Sequence, residues 1–394
     1  MIPFAEARAR LFALGTPRAP VPVPLAEAVG RAPATDVLAA RAQPPFAASQ
    51  MDGYALRAGA GPWRVIGEVA AGEAPGLALE PGQAARIFTG APVPDGADCV
   101  LIQEDAQRDG AELRAAAGTA PKPGQNIRPA CMDFAAGAVV ARAGEPLSPA
   151  RIGLLAAAGH GTVAVPPRPV VALVTTGNEL QPPGAPLAAG QIHDICRPML
   201  TALLAAMADV RDLGIARDTP EALAQAIAAA RGADVLVTVG GASVGDHDLV
   251  APALRQAGAE IDFWKVAIRP GKPTLAGRLG ATVVLGLPGN PASAFVTAQL
   301  FLRPLVRLLS GWAEPGPHVR PARLGATLPA NGPRRDHLRA RYSQAEAELM
   351  VIADARQDSS LLSVLAAADA LIVREPHAPP VAVGDLVETL DLHG

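Results

Sequence analysis

Behind the glycines Gly240, Gly241 and Gly245, in the run ADVLVTVGGASVGDHD, the acids Asp246 and Asp248 stand two residues apart. Oxygen ligands at that spacing can hold a hard divalent cation. The glycines admit positive φ, and an apparent helix begins near Asp246, so backbone amides can approach an anion closely. The plainer reading of the same residues is a tight strand-to-helix connection with an aspartate cap. GGASVG matches neither the Walker A loop nor the fingerprint GxGxxG, so neither a nucleoside triphosphate nor a dinucleotide is implied.

Further acids lie in short polar segments: Asp52 in ASQMDGYA, Asp133 in RPACMDF, Glu179 in TTGNEL and Asp218 in GIARD. Taken locally, Asp52-Gly53 is a turn, Glu179 a loop acid, and Asp218 a residue competing with Thr219 for a helix cap. Thr89, in IFTGAPVP, is a loop hydroxyl that either binds an oxyanion or serves an ordinary turn. Asp194 opens a helix and reads as its cap or charge partner, with His193 beside it structural. Lys265, Arg269 and Lys272 in WKVAIRPGKPT suit a phosphate-rich ligand, the alternative being a solvated cationic edge. Pro288-Gly289-Asn290-Pro291 places a rigid turn before a helix, a second anion-accepting amino terminus. Arg334, Arg335, Arg339 and Arg341 form a basic cluster that is otherwise a charged strand. Acids and cations converging on amide-rich loops would repel and attract a phosphate in equal measure. A divalent cation bridging the acids to phosphoryl oxygens removes the conflict, and magnesium is predicted.

The elements that must position these groups alternate between Pro169 and Gly311. Val170 to Thr175, Val235 to Val239 and Thr282 to Leu287 read as buried strands, and Pro198 to Asp209 and the run from Pro291 to Leu309 as helices. Thr219-Pro220-Glu221 reads as a helix start, with a cap, a first-turn proline and an acid. The pattern predicts a doubly wound parallel sheet, whose ligands bind beyond the carboxyl ends of the strands. The junctions near Thr176, Gly240 and Pro288 would then face one cleft. Residues 1–168 are rich in Pro, Gly and short apolar runs such as Trp63 to Ala70 and Ala85 to Thr89, which predicts small β-rich modules. Ala313 to Pro317 reads as a linker, and residues 318–394 as a separate β-rich domain with a helix near Leu361 to Ala368.

Composition narrows the function. A chain of 394 residues is too long for one core. Aromatic residues make up only 3%, so the cores must be aliphatic. A net charge of -3 without a basic block gives no footprint for nucleic acid. The amino terminus lacks a signal-peptide core and no stretch has the composition of a membrane span, so a cytoplasmic protein is expected. Cys99, Cys131 and Cys196 are too few and too far apart for a disulfide framework or a cysteine zinc site. No Ser-His-Asp set or activated cysteine nucleophile is evident.

PPFAASQMDGYAL, GEVAAGE, RIFTGAPVPDGADCVLIQED, QNIRPACMDF, LVTTGNEL, GGASVGDHD, FWKVAIRPGKPT and GLPGNPASA follow one another in order between Pro44 and Ala294. The chain resembles the molybdopterin molybdenumtransferase family, known as MoeA in bacteria and as the E domain of gephyrin in animals. The resemblance implies cleavage of adenylylated molybdopterin with a divalent cation, transfer of molybdenum from molybdate to the dithiolene sulfurs, and release of AMP. It places Asp52, Thr89, Asp133, Glu179, Asp218 and Asp248 in the active site, with Glu179, Asp218 and Asp248 toward magnesium. It places substrate contacts at Lys265 and Lys272, and the strand-to-helix loops read above add Thr176, Gly177, Gly240, Gly241, Ser243, Gly245, Asp246, Pro288, Asn290, Pro291 and Ser293 as expected substrate contacts. It also implies a homodimer whose cleft takes Asp52 and Thr89 from the second subunit, and handover partners among molybdopterin adenylyltransferases and molybdoenzymes. A non-catalytic, molybdopterin-binding scaffold is the alternative function.

The expected division is a linker domain of 1–45 with 128–168, a β-rich lid of 46–127, an α/β molybdopterin-binding domain of 169–312 and a barrel-like domain of 313–394. The first helix is allowed to pack on the α/β domain. The chain departs from the family's usual residues at Ala130-Cys131-Met132 before Asp133, at Ile195-Cys196 after Asp194, and at Gln357-Asp358-Ser359-Ser360.

Overall fold

The computed structural model describes residues 1–74, 76–241, 249–345 and 348–392. The expectations for Ser243, Gly245, Asp246 and Asp248 therefore lie outside the described residues. The chain begins with helix α1 (Phe4–Leu14), whose buried residues Phe4, Ala7 and Leu11 join the core of the α/β sheet far along the sequence.

Early and late segments of the amino-terminal region pair with each other. Val21–Pro24 runs antiparallel to Thr162–Val165, and Val37–Leu38 to Val139–Ala141. Between them lies a six-stranded sheet in the order Cys99–Ile102, Gly53–Leu56, Gln83–Ile87, Trp63–Val69, Glu112–Ala115, Ala106–Asp109. The expected strands at Trp63 and Ala85 are present, the second shifted two residues toward the amino terminus, at Gln83–Ile87.

The α/β sheet is built from β1 (Val170–Thr176), α2 (Cys196–Leu204), β2 (Asp209–Ala216), α3 (Pro220–Ala229), β3 (Val235–Val239), α4 (Val250–Gln256), β4 (Glu260–Trp264), β5 (Leu275–Leu279), β6 (Thr282–Leu287) and the long helix α5 (Pro291–Leu309). Its order is β2-β1-β3-β6-β5-β4. Alternate side chains of β1 serve opposite layers, as the two-residue period of a strand requires. Val171 and Leu173 pack with α1, α2 and α5, while Ala172 and Val174 pack with α3 and α4. The strands β1, β3 and β6 are buried along almost their whole length, the mark of parallel strands covered on both faces. Helix α5 contains one π turn at Ala298–Leu302, and against the expectation that no stretch has the composition of a membrane span it is long and apolar enough to cross one, with 83% of its most apolar 18-residue window buried inside the fold.

One expectation holds with an exception and one needs correction. The doubly wound sheet is parallel except for β5, which runs antiparallel to both β6 and β4 and leaves β4 aligned with the parallel strands. The connection Gly280-Ala281 explains it, since two residues can join only antiparallel strands. The helix expected over Pro198 to Asp209 ends at Leu204, and Asp209 starts β2. This strand lies at the other edge of the sheet with Asp209, Arg211 and Asp212 in solvent, so its apolar pattern is too diluted to read as a strand.

The last domain is a sheet closed on itself. Arg335–Ala345 pairs with Glu348–Ala353 on one side and with Ala370–Arg374 on the other. Ile268–Arg269, from the α/β domain, adds to its edge at Arg335 and Asp336, and the Arg269 guanidinium pairs with the Asp336 carboxylate. This junction sets the barrel against the ends of the α/β strands.

At the same junction His337 is buried, edge-on to Phe4 with ring centroids 6.0 Å apart. Burial, aided by Arg335, pushes its pKa down to about 3. The unfolded chain binds this proton near the usual histidine pKa and the folded chain does not, so stability present at pH 7 is lost as pH falls below about 6.5. The loss expected from this residue at pH 5 is about 2 kcal/mol. His337→Phe should remove that part of the acid sensitivity, measured as the change in urea midpoint between pH 7 and pH 5. An unchanged pH dependence would contradict the assignment.

Candidate active site

The carboxyl ends of the parallel strands finish in register. Thr175 pairs with Val239 and Ile215, Thr176 with Ala216, and Val239 with Leu287. The loops that follow enclose a cavity of about 360 Å³. Its lining includes Thr176, Gly177, Glu179, Asp218, Gly240, Gly241, Pro288 and Pro291, eight of the residues marked in the sequence. The three junctions near Thr176, Gly240 and Pro288 do face one cleft.

Close packing shapes its floor. Gly240 has φ +96°, and a Cβ there would lie 2.7 Å from the Thr176 carbonyl oxygen. Gly240→Ala should cost about 2–4 kcal/mol, combining backbone strain with overpacking. Gly232→Ala is the control, since Gly232 has φ +79° but nothing within 4 Å of a Cβ. It should cost only about 1–2 kcal/mol, and equal losses in denaturant unfolding would argue against close packing at Gly240.

The polar groups are held by neighbouring loops. Asp218 Oδ2 accepts from Asn178 N at 3.2 Å, while Asn178 Oδ1 accepts from Asp218 N at 3.2 Å. Arg217 donates to the Asn178 carbonyl at 2.7 Å. Thr219, not Asp218, caps α3 by accepting from Ala222 N, which leaves the Asp218 side chain to the cavity. The Glu179 carboxylate folds over Gly177, with Oε2 only 2.6 Å from where a Cβ would stand. The Thr176 hydroxyl is buried and has no hydrogen-bond partner among the described residues.

Glu179 and Asp218 are oxygen donors of the kind a hard cation takes. Among the described residues no three His, Cys, Asp or Glu side chains gather, and the third expected acid, Asp248, is not described. The other donors at the cavity are already committed. His193 Nε2 contacts the Ala185 carbonyl at 3.0 Å, in keeping with a structural role. The Cys196 thiol contacts the Gly289 carbonyl at 3.7 Å, and burial, with the charge of Asp194 second, raises its pKa to about 12. The two carboxylates at the cavity, Glu179 and Asp218, are the donor type that an oxygen-seeking ion such as magnesium takes.

A second cavity of about 370 Å³ adjoins the first, sharing Pro273. It carries Lys272 and Ser293 from the α/β domain, with Arg269 beside them, and Arg334, Gln357 and Ser359 from the barrel. The barrel residues were legible only as a basic cluster and as a departure at 357–360. Nothing in their own spacing tells that they meet the α/β domain. Lys265 lines neither cavity. It sits at φ +80°, with its amide bonded to the Thr274 carbonyl. Asn290 stands at the start of α5 with Oδ1 buried and without a hydrogen-bond partner among the described residues.

Asp52 and Thr89 meet each other away from both cavities. Asp52 Oδ1 accepts from Thr89 N and from Thr89 Oγ1, each at 2.8 Å. These bonds, backbone first, hold the Asp52 pKa below the usual carboxylate value. Asp133 is exposed near Gln43, whose carbonyl accepts its amide at 3.0 Å, and it too stands outside both cavities.

Three family models match the chain in order. They are the MoeA N-terminal region (domain I and II) over residues 2–159, a probable molybdopterin binding domain over 172–308, and the MoeA C-terminal region (domain IV) over 321–392. A molybdopterin molybdenumtransferase 2 of Mycobacterium tuberculosis is 36% identical, covering 95% of each chain. A molybdopterin molybdenumtransferase of Haemophilus influenzae is 35% identical, covering 92% of this chain and 91% of that one. Among solved structures, a molybdopterin biosynthesis MoeA protein of Pyrococcus horikoshii aligns over 99% of this chain and 100% of that one, at TM-score 0.82 and 26% identity.

Proposed function

The chain belongs to the molybdopterin molybdenumtransferase family, an enzyme family of molybdenum-cofactor biosynthesis, and on that footing we propose that its cavity cleaves adenylylated molybdopterin and loads it with molybdenum. Molybdate is the metal source and AMP the leaving product. The observation that carries this reading is the convergence of Glu179, Asp218 and the buried Thr176 hydroxyl on one cavity at the carboxyl edge of a parallel sheet.

The close-packed turn at Gly240 and Gly241 lets substrate phosphate approach backbone, and the Thr176 hydroxyl donates to a phosphoryl oxygen. Pro288, Asn290 and Pro291 orient the substrate at the start of α5. Glu179 and Asp218 would hold magnesium, with Asp248 as the further acid. The ion, when bound, supplies positive charge against the phosphoryl oxygens. Lys272 and Ser293 bind anionic parts of the substrate in the adjoining cavity, where Arg269 and Arg334 add charge.

Asp52 and Thr89 serve the reaction from a second copy of the chain. Their mutual hydrogen bonds keep the carboxylate ionised and aimed, and they lie apart from the cavity of their own chain. We take the enzyme to be a homodimer with shared sites.

Purified protein incubated with adenylylated molybdopterin, molybdate and magnesium should release AMP and yield molybdenum bound to pterin. Tight pterin binding without AMP release would instead make the chain a scaffold. Adenylylated molybdopterin and pyrophosphate formed from ATP and free molybdopterin, with no AMP released from the adenylylated pterin, would overturn the insertion reading.

A further inference from the structure

We propose that Asp194 is a positioning residue for this reaction, anchoring the strap of residues 177–194 so that Glu179 stands over the cavity. The proposal rests on the functional reading above. Asp194 is 1% exposed, and its carboxylate ties together separate pieces of the fold. Oδ1 accepts from Arg197 N at 3.1 Å, which is an ordinary helix-start bond. Oδ2 accepts from the Thr175 hydroxyl at 2.7 Å and from Arg197 Nε at 2.9 Å. Arg197 then reaches Asp212 on β2 at 2.6 Å. A helix cap needs only the first of these bonds.

The remainder have a geometric consequence. The strap leaves β1 just after Thr176 and returns at Asp194, so the bond between Thr175 and Asp194 closes it at its base. Within the strap, Leu180 pairs with Ile192 and Gln181 with His193. Ile192 N donates to the Glu179 carbonyl at 2.9 Å, and Asp194 N to the Gln181 carbonyl at 2.8 Å. The backbone of Glu179 is therefore held from the side that Asp194 fixes. Buried bonds to an ionised group are strong and directional, and small displacements of a reacting group are costly in rate.

Thr175→Val removes the donor while keeping the shape, and Thr175→Ser restores it. With Thr175→Val, kcat for AMP release should fall about tenfold, with KM within about twofold of wild type. Thr175→Ser should stay within about twofold of wild type. Hydrogen exchange across 177–194 should quicken in the valine variant alone. A kcat equal to wild type, a change in KM instead of kcat, or exchange equal to wild type would each overturn the anchor. Inactive wild-type protein would overturn the functional reading, and exchange alone would then decide the anchor. If Thr175→Val does not fold, Arg197→Met removes the carboxylate's other side-chain partner and is read by the same two measurements.

Discussion

Glu179→Ala is expected to lower AMP release from adenylylated molybdopterin by at least about 10³-fold, as loss of a group acting on developing phosphoryl charge does. The fold should survive, because the side chain lies over Gly177 at the cavity surface and not in a core. Its thermal midpoint should stay within about 2 °C of wild type. Asp248→Ala should behave alike. Magnesium affinity should weaken in both variants, which separates loss of the cation site from loss of substrate binding. A variant that keeps near wild-type turnover would remove that residue from the cation site.

The second large effect comes from mixing subunits. Asp52→Ala and Glu179→Ala homodimers should each be inactive. In a shared cleft, a mixed dimer has one site carrying both lesions and one carrying neither. Random reassortment of equal amounts should therefore restore about a quarter of wild-type activity, since half the dimers are mixed and half their sites intact. If each chain completes its own site, every site keeps one lesion and no activity returns. The measurement is AMP release before and after subunit exchange, with exchange checked by differently tagged chains.

Much of the α/β domain was legible because its physics is local. The strands Val235–Val239 and Thr282–Leu287 are buried on both faces and read as unbroken apolar runs. Thr219-Pro220-Glu221 carries its own start signal, and the Thr219 cap forms. The edge strand β2 was hidden because water on one side leaves Asp209, Arg211 and Asp212 in its pattern. The cavity-lining positions at strand ends were legible too, since Thr176, Gly177, Gly240 and Pro288 follow apolar runs whose direction fixes where they emerge. Asp194 was read as a helix opener, which describes only one of its bonds; its hold on Thr175 is a contact across 19 positions that spacing does not encode. The barrel's share of the second cavity, through Arg334, Gln357 and Ser359, depends on the pairing of Ile268–Arg269 with Arg335–Asp336. Such pairing is a tertiary fact, and a two-residue strand leaves almost no trace in sequence.

The central claim is that the cavity at the carboxyl edge of the parallel strands is where the phosphoanhydride is cleaved. A crystal structure of Glu179→Ala with adenylylated molybdopterin tests it most directly, because slow turnover preserves the substrate. The phosphoanhydride should lie against Gly240 and Gly241, within hydrogen-bond reach of the Thr176 hydroxyl and beside Asp218. The amino edge of the same sheet offers a larger groove of about 940 Å³, lined by Arg18, Arg231 and Arg278. Substrate found there, with the carboxyl-edge cavity empty, would contradict the account.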